Sequence, residues 1–247
     1  MTGNKPAMEQ QHLQSTTGRA ETVRYHREFY RRHGLFQPGS WLAQPAPFVL
    51  RCAQAVNTDR PVRAYDLGCG VGRHTIPLAR LLPPGSSVLG VDLLTEAITT
   101  LMDNATTAGV ADRIHGIVAD LETLQLPALS ADLIVGCSAL EHVSSPESFQ
   151  ELLLRCQQAT RVGGVHALTI ATDRYEQLPD GAIRPALAEM QLSSAAAEHI
   201  IMRSYQDWEL LELCWRDDAV AEERHGQRYE LRHRTLELGA RRLRLAP

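Results

Sequence analysis

A glycine-rich turn is the segment of this 247-residue sequence with the clearest capacity for chemistry. Residues 66–72 read DLGCGVG, and they follow a short apolar run and precede a segment with helical spacing. Glycines allow a ligand to approach the backbone closely, and a helix N-terminus offers free N–H groups and a positive dipole end. Because strand-to-helix turns also use glycine for structural reasons alone, the turn by itself permits a binding or a purely structural interpretation.

Two further acidic residues each end an apolar run. Asp92 ends the second run of the sequence and Asp120 ends the third. In an open parallel sheet these strand ends lie at the same edge as Asp66, where such sheets bind ligands, and a carboxylate there can accept both hydroxyls of a ribose. Asp92 has a structural alternative, which is to cap the next helix, although Thr95 can supply that cap. The three carboxylates together predict a nucleoside-containing ligand at this edge.

The elements that must position these residues alternate along the chain. The five strand-type runs are VRAYDLG, SVLGVDL, IHGIVAD, ADLIVGCSA and GGVHALTIAT. Helical spacing separates the runs, as in Ile98, Leu101, Met102 and Ala105, or in residues 149–156 after the N-cap Ser145. This alternation predicts an α/β fold, a Rossmann-like doubly wound sheet that is mainly parallel, with helices on both faces.

The sequence after Asp173 breaks this rhythm. Residues 185–203 have mixed spacing that predicts a helix, and residues 207–215, 219–224 and 230–243 are typical of strands. The segment His225-Gly226-Gln227 would close a hairpin. We therefore expect an antiparallel C-terminal hairpin at the edge of the parallel sheet.

The glycine spacing distinguishes between cofactor classes. The dinucleotide fingerprint is G-x-G-x-x-G, whereas this turn has G-x-G-x-G with an acidic residue two positions before the first glycine. This form resembles the first motif of the class I S-adenosylmethionine-dependent methyltransferases. The segments DLGCGVGRHTIPLA, VLGVDL, VADLETL and GCSALEHV and the Gly163-Gly164 turn follow the family order over residues 60–173, and more loosely over 205–243.

Within the family, the sequence looks most similar to bacterial small-molecule enzymes, including the tellurite-resistance and quinone-biosynthesis types. One departure is Arg161-Val162-Gly163-Gly164, where many members have Lys-Pro-Gly-Gly. DNA amino-methyltransferases carry an Asn/Asp-Pro-Pro-Tyr/Phe motif after strand 4, and this chain has CSALEH instead, so that class is excluded.

The resemblance implies a site for S-adenosyl-L-methionine, with S-adenosyl-L-homocysteine as its product. Asp92 would bind the ribose hydroxyls, Leu93 would lie against the adenine, and Asp120 would meet the adenine amino group with Leu121 beside it. The backbone at Cys137 or Ser138 would receive the cofactor's ammonium. The residues that would hold the methionine part are Asp66, Gly68, Cys69 and Gly70.

Methyl transfer needs few catalytic groups from the protein, since the sulfonium of the cofactor already activates the methyl group. Catalysis is mostly in-line positioning of a nucleophile and exclusion of water, and a nearby base helps when the acceptor carries a proton. His142 follows strand 4 and titrates in a suitable range, so it is the catalytic candidate. The alternative is that His142 belongs to the scaffold of the family.

Three regions flank this expected core. Residues 1–20 are polar and aperiodic and are expected to form a disordered tail. Residues 21–60 are expected to form a helical cover whose aromatics Tyr25, Tyr30 and Trp41 close over the sulfonium, or else an amphipathic helix that only covers the sheet edge. Residues 61–247 would be the methyltransferase domain, with an acceptor-side insertion at 174–205 that contains the candidate contact Tyr175.

Composition narrows the remaining classes. The formal net charge of -4 argues against a general nucleic-acid coat. No stretch reaches the ~20 apolar residues of a membrane helix, and the N-terminus lacks the apolar region of a secretory signal. The five widely spaced cysteines favour neither a disulfide framework nor a metal site, and they suggest buried residues in the cytoplasm.

The sequence therefore predicts an enzyme that transfers a methyl group to a small-molecule nucleophile by in-line displacement. Two alternatives stay open at this point. One is a nicotinamide-dependent oxidoreductase, against which the glycine spacing argues, and the other is a non-catalytic cofactor-binding regulator on the same fold. The acceptor atom and the oligomeric state are not predicted.

Overall fold

The computed structural model describes residues 5–244, of which residues 5–12 and 14 are described by their backbone alone. The helices are α1 (Lys5–Arg32), α2 (Pro47–Gln54), α3 (Thr75–Leu81), α4 (Thr95–Thr107), α5 (Pro146–Ala159) and α6 (Ser194–Ser204). The strands are β1 (Arg63–Leu67), β2 (Ser87–Asp92), β3 (Ile114–Val118), β4 (Ala131–Cys137), β5 (Thr160–Gln177), β6 (Ile183–Pro185), β7 (Trp208–Arg224) and β8 (Gln227–Arg242).

One sheet organises these elements. Its strand order is β3-β2-β1-β4-β5-β8-β7, and β6 pairs with β5 off this path. The strands from β3 to β5 are parallel to one another, whereas β8 is antiparallel to β5 and β7 is antiparallel to β8. The predicted fold class is confirmed, since a mainly parallel α/β sheet carries an antiparallel C-terminal hairpin.

Apolar side chains cover both faces of the sheet. Buried residues of α2, α3 and α4 form the core on one face, and buried residues of α5 and α6 form the core on the other. In α5 the predicted stripe is buried, and Ser145 caps the helix by accepting the N–H of Ser148. Each fully buried Leu or Phe contributes ~1.5–3 kcal/mol, so these stripes hold the helices against the strand ends that they position.

The C-terminal hairpin closes with a two-residue turn. His225 and Gly226 have φ values of 52° and 80°, which a tight turn matched to the twist of antiparallel strands requires. The segments 207–215 and 219–224, expected to be two strands, are parts of the single strand β7. This hairpin reaches past the carboxyl ends of the parallel strands.

Helix α1 begins earlier than the sequence pattern indicates. The expectation of disorder was wrong for residues 5–20, which are helical, while residues 1–4 lie outside the described part of the chain. Tertiary contacts explain the difference. A Cβ built on Gly18 would lie 2.2 Å from the backbone carbon of Ala188, and Arg19 forms an ion pair with Asp120. Such packing stabilises a helix that lacks a continuous apolar stripe.

The predicted helix over residues 185–203 was wrong in its first half. Helix α6 begins only at Ser194, after Ser193 as its N-cap, while the preceding residues pair with β5 or run extended. Residues 186, 188–190 and 192 are buried although this stretch has no regular secondary structure. The apolar residues of the predicted helix thus belong partly to a buried irregular segment and partly to α6.

Two further sequence expectations concern cysteines and membranes. All five cysteines are free, and Cys52, Cys69 and Cys156 are buried, but Cys214 is exposed, contrary to expectation. Cys214 lies on the edge strand β7, whose outer side carries no further strand. Within residues 5–244, no helix is both long and apolar enough to cross a membrane.

Candidate functional site

Two adjoining cavities lie at the carboxyl edge of the parallel strands. The larger has a volume of about 410 Å³ and the smaller a volume of about 90 Å³. The residues that line both cavities are Thr22, His26, Tyr30, Gly68, Ser138 and His142. The glycine turn therefore forms part of the wall that joins the cavities, as expected for a ligand at this edge.

The glycine turn is held by hydrogen bonds to the neighbouring strand. The N–H groups of Gly68 and Cys69 both donate to the carbonyl oxygen of Val91, at 2.8 and 3.0 Å. Gly68 has a φ of 71°, and a Cβ there would lie 2.4 Å from the Cβ of Ala139. A side chain at this position would meet both backbone strain and a collision, so glycine is required for structure as well as for access.

Asp92 connects the turn to the next helix. Its Oδ2 accepts the N–H of Gly70 and its Oδ1 accepts the N–H of Leu94, both at 2.9 Å. Burial raises the pKa of Asp92 although these hydrogen bonds oppose the rise. Asp92 lines the smaller cavity together with Leu93, whose side chain is 40% exposed despite being apolar.

Asp120 lies at the same cavity and already has a cationic partner. The guanidinium of Arg19 reaches from α1 to both carboxylate oxygens, at 2.7 and 3.4 Å, and also donates to the carbonyl oxygen of His142. Leu121 lines the cavity beside it. Arg19 was missed by sequence reasoning because its segment was expected to be disordered.

The first carboxylate of the sequence pattern lies behind the turn. Asp66 is 1% exposed, lines neither cavity, and accepts a hydrogen bond of 2.6 Å from the Thr75 hydroxyl. Burial raises the pKa of Asp66 to about 7. Asp66 thus fixes the start of α3 against β1 and does not face the ligand space.

The end of β4 forms the opposite side of the junction. Cys137 and Ser138 line the larger cavity, Ser138 lines both, and Cys69 and Gly70 of the turn lie across from them. Ser138 has a φ of 51°, and its N–H donates to Thr169. This unusual backbone conformation in a non-glycine residue marks a site where the surrounding structure imposes the geometry.

Aromatic side chains of the N-terminal cover line the larger cavity. Tyr25, Tyr30 and Trp41 all do so, as does His26, which lies between them. The centroid of the His26 ring is 5.1 Å from that of Tyr25, 5.7 Å from that of Tyr30 and 6.5 Å from that of Trp41. His26 thus lies among the three aromatics that the sequence assigned to the cover.

The opposite wall comes from the C-terminal hairpin. Alternate residues of each strand face the cavity, as a pleated sheet requires. These residues include Arg216, Asp218, Val220, Glu222 and Arg224 on β7, and Tyr229, Leu231 and His233 on β8. The sequence reasoning missed this wall, because the charged residues of 216–224 do not alternate with apolar residues along the sequence.

Ion pairs join the cover to this wall. Arg224 contacts Glu21 of α1 at 2.6 Å and Glu176 of β5 at 2.5 Å. Burial raises the pKa of Glu222 to about 7, although a hydrogen bond from the Tyr25 hydroxyl opposes the rise. Near its middle, helix α1 is thus attached to Asp120 through Arg19 and to the hairpin through Glu21.

The insertion at residues 174–205 contributes residues to the larger cavity, but the predicted contact Tyr175 is not one of them. Arg174, Glu176, Ala186 and Leu187 line the larger cavity, whereas Tyr175 lines neither cavity. Tyr175 follows a register shift in the pairing of β5 with β8, next to Asp173 with its φ of 50°.

His142 lies at the junction of the cavities and has an acidic partner. Its Nδ1 is 3.1 Å from Oε2 of the buried Glu189. Burial alone would lower the pKa of His142, but the Glu189 carboxylate outweighs it and the pKa is raised. The same pairing lowers the pKa of Glu189 to about 2, against the opposing effect of burial. The carboxylate of Glu189 therefore favours the protonated form of His142.

One cluster away from the cavities has spacing compatible with a metal ion among the described residues. It consists of Glu212, Cys214 and Glu237 on the hairpin. The two carboxylates are already engaged, because Glu212 pairs with Arg51 and Glu237 pairs with Arg216.

Comparisons with known proteins agree with this architecture. Residues 64–164 match a family model described as a methyltransferase domain. The ubiquinone biosynthesis O-methyltransferase of Cupriavidus pinatubonensis is 33% identical over 102 residues, which cover 41% of this chain and 38% of that protein. The mitochondrial ubiquinone biosynthesis O-methyltransferase of Homo sapiens is 35% identical over 119 residues, which cover 47% of this chain and 30% of that protein. The matched region thus spans 38% and 30% of the lengths of these two relatives.

Solved structures share the fold at low sequence identity. TehB from Haemophilus influenzae superposes with a TM-score of 0.59 and 20% identity, covering 78% of this chain and 61% of that one. The [4+2]-cyclase SpnF superposes with a TM-score of 0.57 and 17% identity, covering 83% of this chain and 84% of that one. The fold therefore hosts more than one chemistry, and the motif match carries the assignment. Residues 64–164, which carry the glycine turn at the sheet edge, thus match a methyltransferase domain.

Proposed function

We propose that this protein transfers the methyl group of S-adenosylmethionine to a small-molecule nucleophile held in the larger cavity. The observation that carries the proposal is the hydrogen bond from the glycine turn to Asp92, at the wall shared by two joined cavities. The volume of about 410 Å³ suits a small organic acceptor, because small-molecule sites occupy ~300–1,000 Å³.

The residues around the smaller cavity fit the adenosine part of the cofactor. The Asp92 carboxylate accepts two backbone hydrogen bonds and keeps further lone pairs for the ribose hydroxyls. The exposed Leu93 side chain offers an apolar surface to the adenine, with Leu121 beside it. Asp120 would accept from the adenine amino group once Arg19 releases it. We propose that Gly68, Cys69, Gly70, Cys137 and Ser138 hold the methionine part, with Asp66 supporting the turn from behind.

The chain's own residues would position the acceptor and exclude water. The cofactor supplies an activated methyl group, and the aromatic cover attracts the positive sulfonium. We propose that Tyr25, Tyr30 and Trp41 cover the site. We also propose that residues 174–205 form the acceptor-side insertion, in which Arg174 and Leu187 contact the acceptor and Tyr175 does not. We propose that His142, whose Nδ1 is held by Glu189 and whose pKa that carboxylate raises, acts at the junction of the cavities.

The remaining assignments are also proposals. The division into a cover at residues 21–60 and a domain at 61–247 is supported by the attachment of α1 to the cavity walls. A small-molecule acceptor is supported by the curated relatives, whose names describe O-methyl transfer in ubiquinone biosynthesis. The cytoplasm is supported by five free cysteines.

Calorimetry with S-adenosylhomocysteine tests the proposal directly. We expect the wild-type protein to bind, and Asp92→Ala to weaken binding by ~1–3 kcal/mol, because the ribose would lose its acceptor. Leu93→Ala provides a second variant that removes an exposed side chain and spares the fold. Asp103→Ala, on the exposed side of α4, is the matched control and should bind like wild type.

Two results would count against the proposal. Absence of binding by a folded wild-type protein would refute the cofactor assignment. Binding without turnover of any acceptor in a broad screen would favour the non-catalytic regulator. Formation of S-adenosylhomocysteine from S-adenosylmethionine only when an acceptor is added is the result that we expect.

A further inference from the structure

Two imidazole rings lie where the cavities meet. His26 of α1 and His142 of the β4–α5 loop both line the two cavities, with ring centroids 6.1 Å apart and planes at 88°. If the proposed function holds, the methyl group passes from the cofactor to its acceptor across this junction. A group that accepts the acceptor's proton must lie within hydrogen-bond reach of the same place.

The surroundings of the two rings shift their pKa values in opposite directions. The Glu189 carboxylate, 3.1 Å from Nδ1, raises the pKa of His142 against the opposing effect of burial. Burial lowers the pKa of His26 to about 4, with the charge of His142 adding to the effect and that of Glu189 opposing it. His26 is therefore neutral. A pair of titratable groups whose environments move their pKa values apart is the usual mark of divided acid and base roles.

A backbone hydrogen bond fixes the tautomer of His26. Its Nδ1 lies 2.9 Å from the carbonyl oxygen of Thr22, one turn earlier in α1. A carbonyl oxygen only accepts, so Nδ1 carries the proton and Nε2 carries the lone pair. Among the described residues, none forms a hydrogen bond with Nε2. The ring thus has an unused proton-accepting nitrogen at the cavity junction.

The surroundings of His26 favour an aromatic acceptor. Tyr25, Tyr30 and Trp41 flank the ring and line the larger cavity, so they offer faces and edges against which a planar ring packs. An aromatic hydroxyl has a pKa of ~10, as in tyrosine, which brings its proton within reach of an imidazole as the oxygen attacks. A nitrogen or sulfur acceptor would not draw on this set of rings more than on any apolar wall.

We infer that His26 is a catalytic residue, and that its Nε2 accepts the proton of a phenolic hydroxyl as the phenol oxygen takes the methyl group. The inference rests on the proposed function. The oxygen–carbon bond forms as the carbon–sulfur bond breaks, and the bonding pair of the latter stays on sulfur as a neutral thioether. The phenol proton moves to His26, which then loses it to solvent after the product leaves.

Kinetics of His26→Gln test the inference. The probes are S-adenosylmethionine with phenol, catechol or 4-hydroxybenzoate, and with 4-nitrophenol, which ionises much more readily. We expect His26→Gln to lower kcat for the weakly acidic phenols ~10²–10⁴-fold, with the Kd for S-adenosylhomocysteine unchanged within about twofold. The loss should shrink for 4-nitrophenol and with rising pH, since an ionised acceptor needs no base. His199→Gln, on the exposed face of α6, is the matched control.

Several outcomes would overturn the inference. An equal loss for acidic and weakly acidic phenols would assign His26 a structural role, and no loss would remove it from catalysis. If the wild-type protein binds S-adenosylhomocysteine but methylates no phenol, the phenolic acceptor is refuted while the proposed function stands. If the protein does not bind S-adenosylhomocysteine, the proposed function itself fails.

Nitrogen NMR of the histidine side chains provides a test that needs no turnover. At pH 7 we expect His26 as a neutral ring protonated at Nδ1, and we expect His142 to lose its proton at a higher pH than His26, with signals assigned by His26→Gln and His142→Gln. A charged His26, or one protonated at Nε2, would contradict the inference even if the His26→Gln protein proved unstable.

Discussion

At the scale of single residues, Asp92 shows how one side chain serves fold and ligand together. The sequence left two interpretations open, a ribose acceptor and a cap for the following helix. Asp92 does not cap the helix, because its Oδ1 accepts the N–H of Leu94, the residue before α4, and no side chain caps α4. The carboxylate lies at the wall of the smaller cavity, where the first interpretation stays available. The sequence could predict that a carboxylate lies at the strand end. It could not predict that one oxygen accepts the N–H of Gly70 and the other that of Leu94.

Gly68→Ala should destabilise the protein and weaken cofactor binding. The new Cβ would lie 2.4 Å from the Cβ of Ala139 in a backbone with φ of 71°. We expect a loss of ~1–3 kcal/mol in the free energy of unfolding, measured with urea, and a weaker calorimetric Kd for S-adenosylhomocysteine.

The control for that variant is Gly109→Ala. Gly109 has a φ of 70° and nothing within 4 Å of its Cβ position, so it reports the backbone strain without the collision. A Gly68→Ala protein as stable as Gly109→Ala, with unchanged cofactor affinity, would refute the proposed tight approach at the glycine turn.

At the scale of elements, α1 was the least predictable part of the molecule. Its apolar residues form no continuous stripe, so periodicity indicated only its second half. Contacts from distant segments hold the first half, including the ion pair of Arg19 with Asp120. Information of this kind lies in the tertiary structure and not in local pattern. The period of α4 and both the cap and the period of α5 were local and were predicted, whereas the predicted side-chain cap of α4 was wrong.

Arg19→Ala should tighten the binding of S-adenosylhomocysteine. Arg19 occupies the carboxylate that we assign to the adenine amino group, so the cofactor must displace it. The pair is partly exposed and worth ~1 kcal/mol, which predicts about fivefold tighter calorimetric binding in the variant.

Arg27→Ala on the same helix is the control, because Arg27 pairs with Glu96 and lines neither cavity. Weaker binding by Arg19→Ala would mean that Arg19 contacts the cofactor and would remove the competition proposed here.

The hairpin turn offers a stabilising substitution. His225 has a φ of 52°, which costs most residues but is tolerated by asparagine, and Asn-Gly is the preferred pair in this type of turn. We expect His225→Asn to raise the free energy of unfolding by ~0.5–1 kcal/mol, seen as a higher urea midpoint. Gly226→Ala should change it in the opposite direction, and equal effects of both variants would exclude this turn geometry.

At the scale of the whole molecule, buried neutral histidines make stability depend on pH. His166 is fully buried in β5 between the Thr160 and Tyr205 hydroxyls, and burial lowers its pKa to about 3. The unfolded chain therefore binds a proton that the folded chain does not. The resulting stability is complete above pH ~6.5 and is lost as the pH falls toward the pKa of the folded state.

His166→Gln should remove this dependence. Between pH ~6 and ~4, the wild-type free energy of unfolding should fall ~1.4 kcal/mol per pH unit more steeply than that of the variant. Urea unfolding at several pH values measures the difference in slope, which is independent of the variant's lower absolute stability. His199→Gln should keep the wild-type slope, and parallel curves for wild type and His166→Gln would contradict the prediction.

The whole-molecule architecture was the most predictable feature, since alternation of strands and helices is repeated along the chain. The wall that the hairpin contributes to the larger cavity was not predictable. Residues 216–224 line the cavity only because β7 pairs with β8 and lies across from α1. Sequence pattern indicates which residues share a face of a strand, but not which distant element the face meets.

The hairpin that forms this wall follows, in the chain, the entire segment that matches the methyltransferase domain. If the proposed function holds, we expect substitutions in residues 208–242 to change acceptor preference while the cofactor motifs stay unchanged. The hairpin joins the sheet through β5 and closes on a two-residue turn, so it is suited to recombination between relatives as one piece. For laboratory evolution, libraries at positions 216, 218, 220 and 222 would sample new acceptors at little risk to the cofactor site.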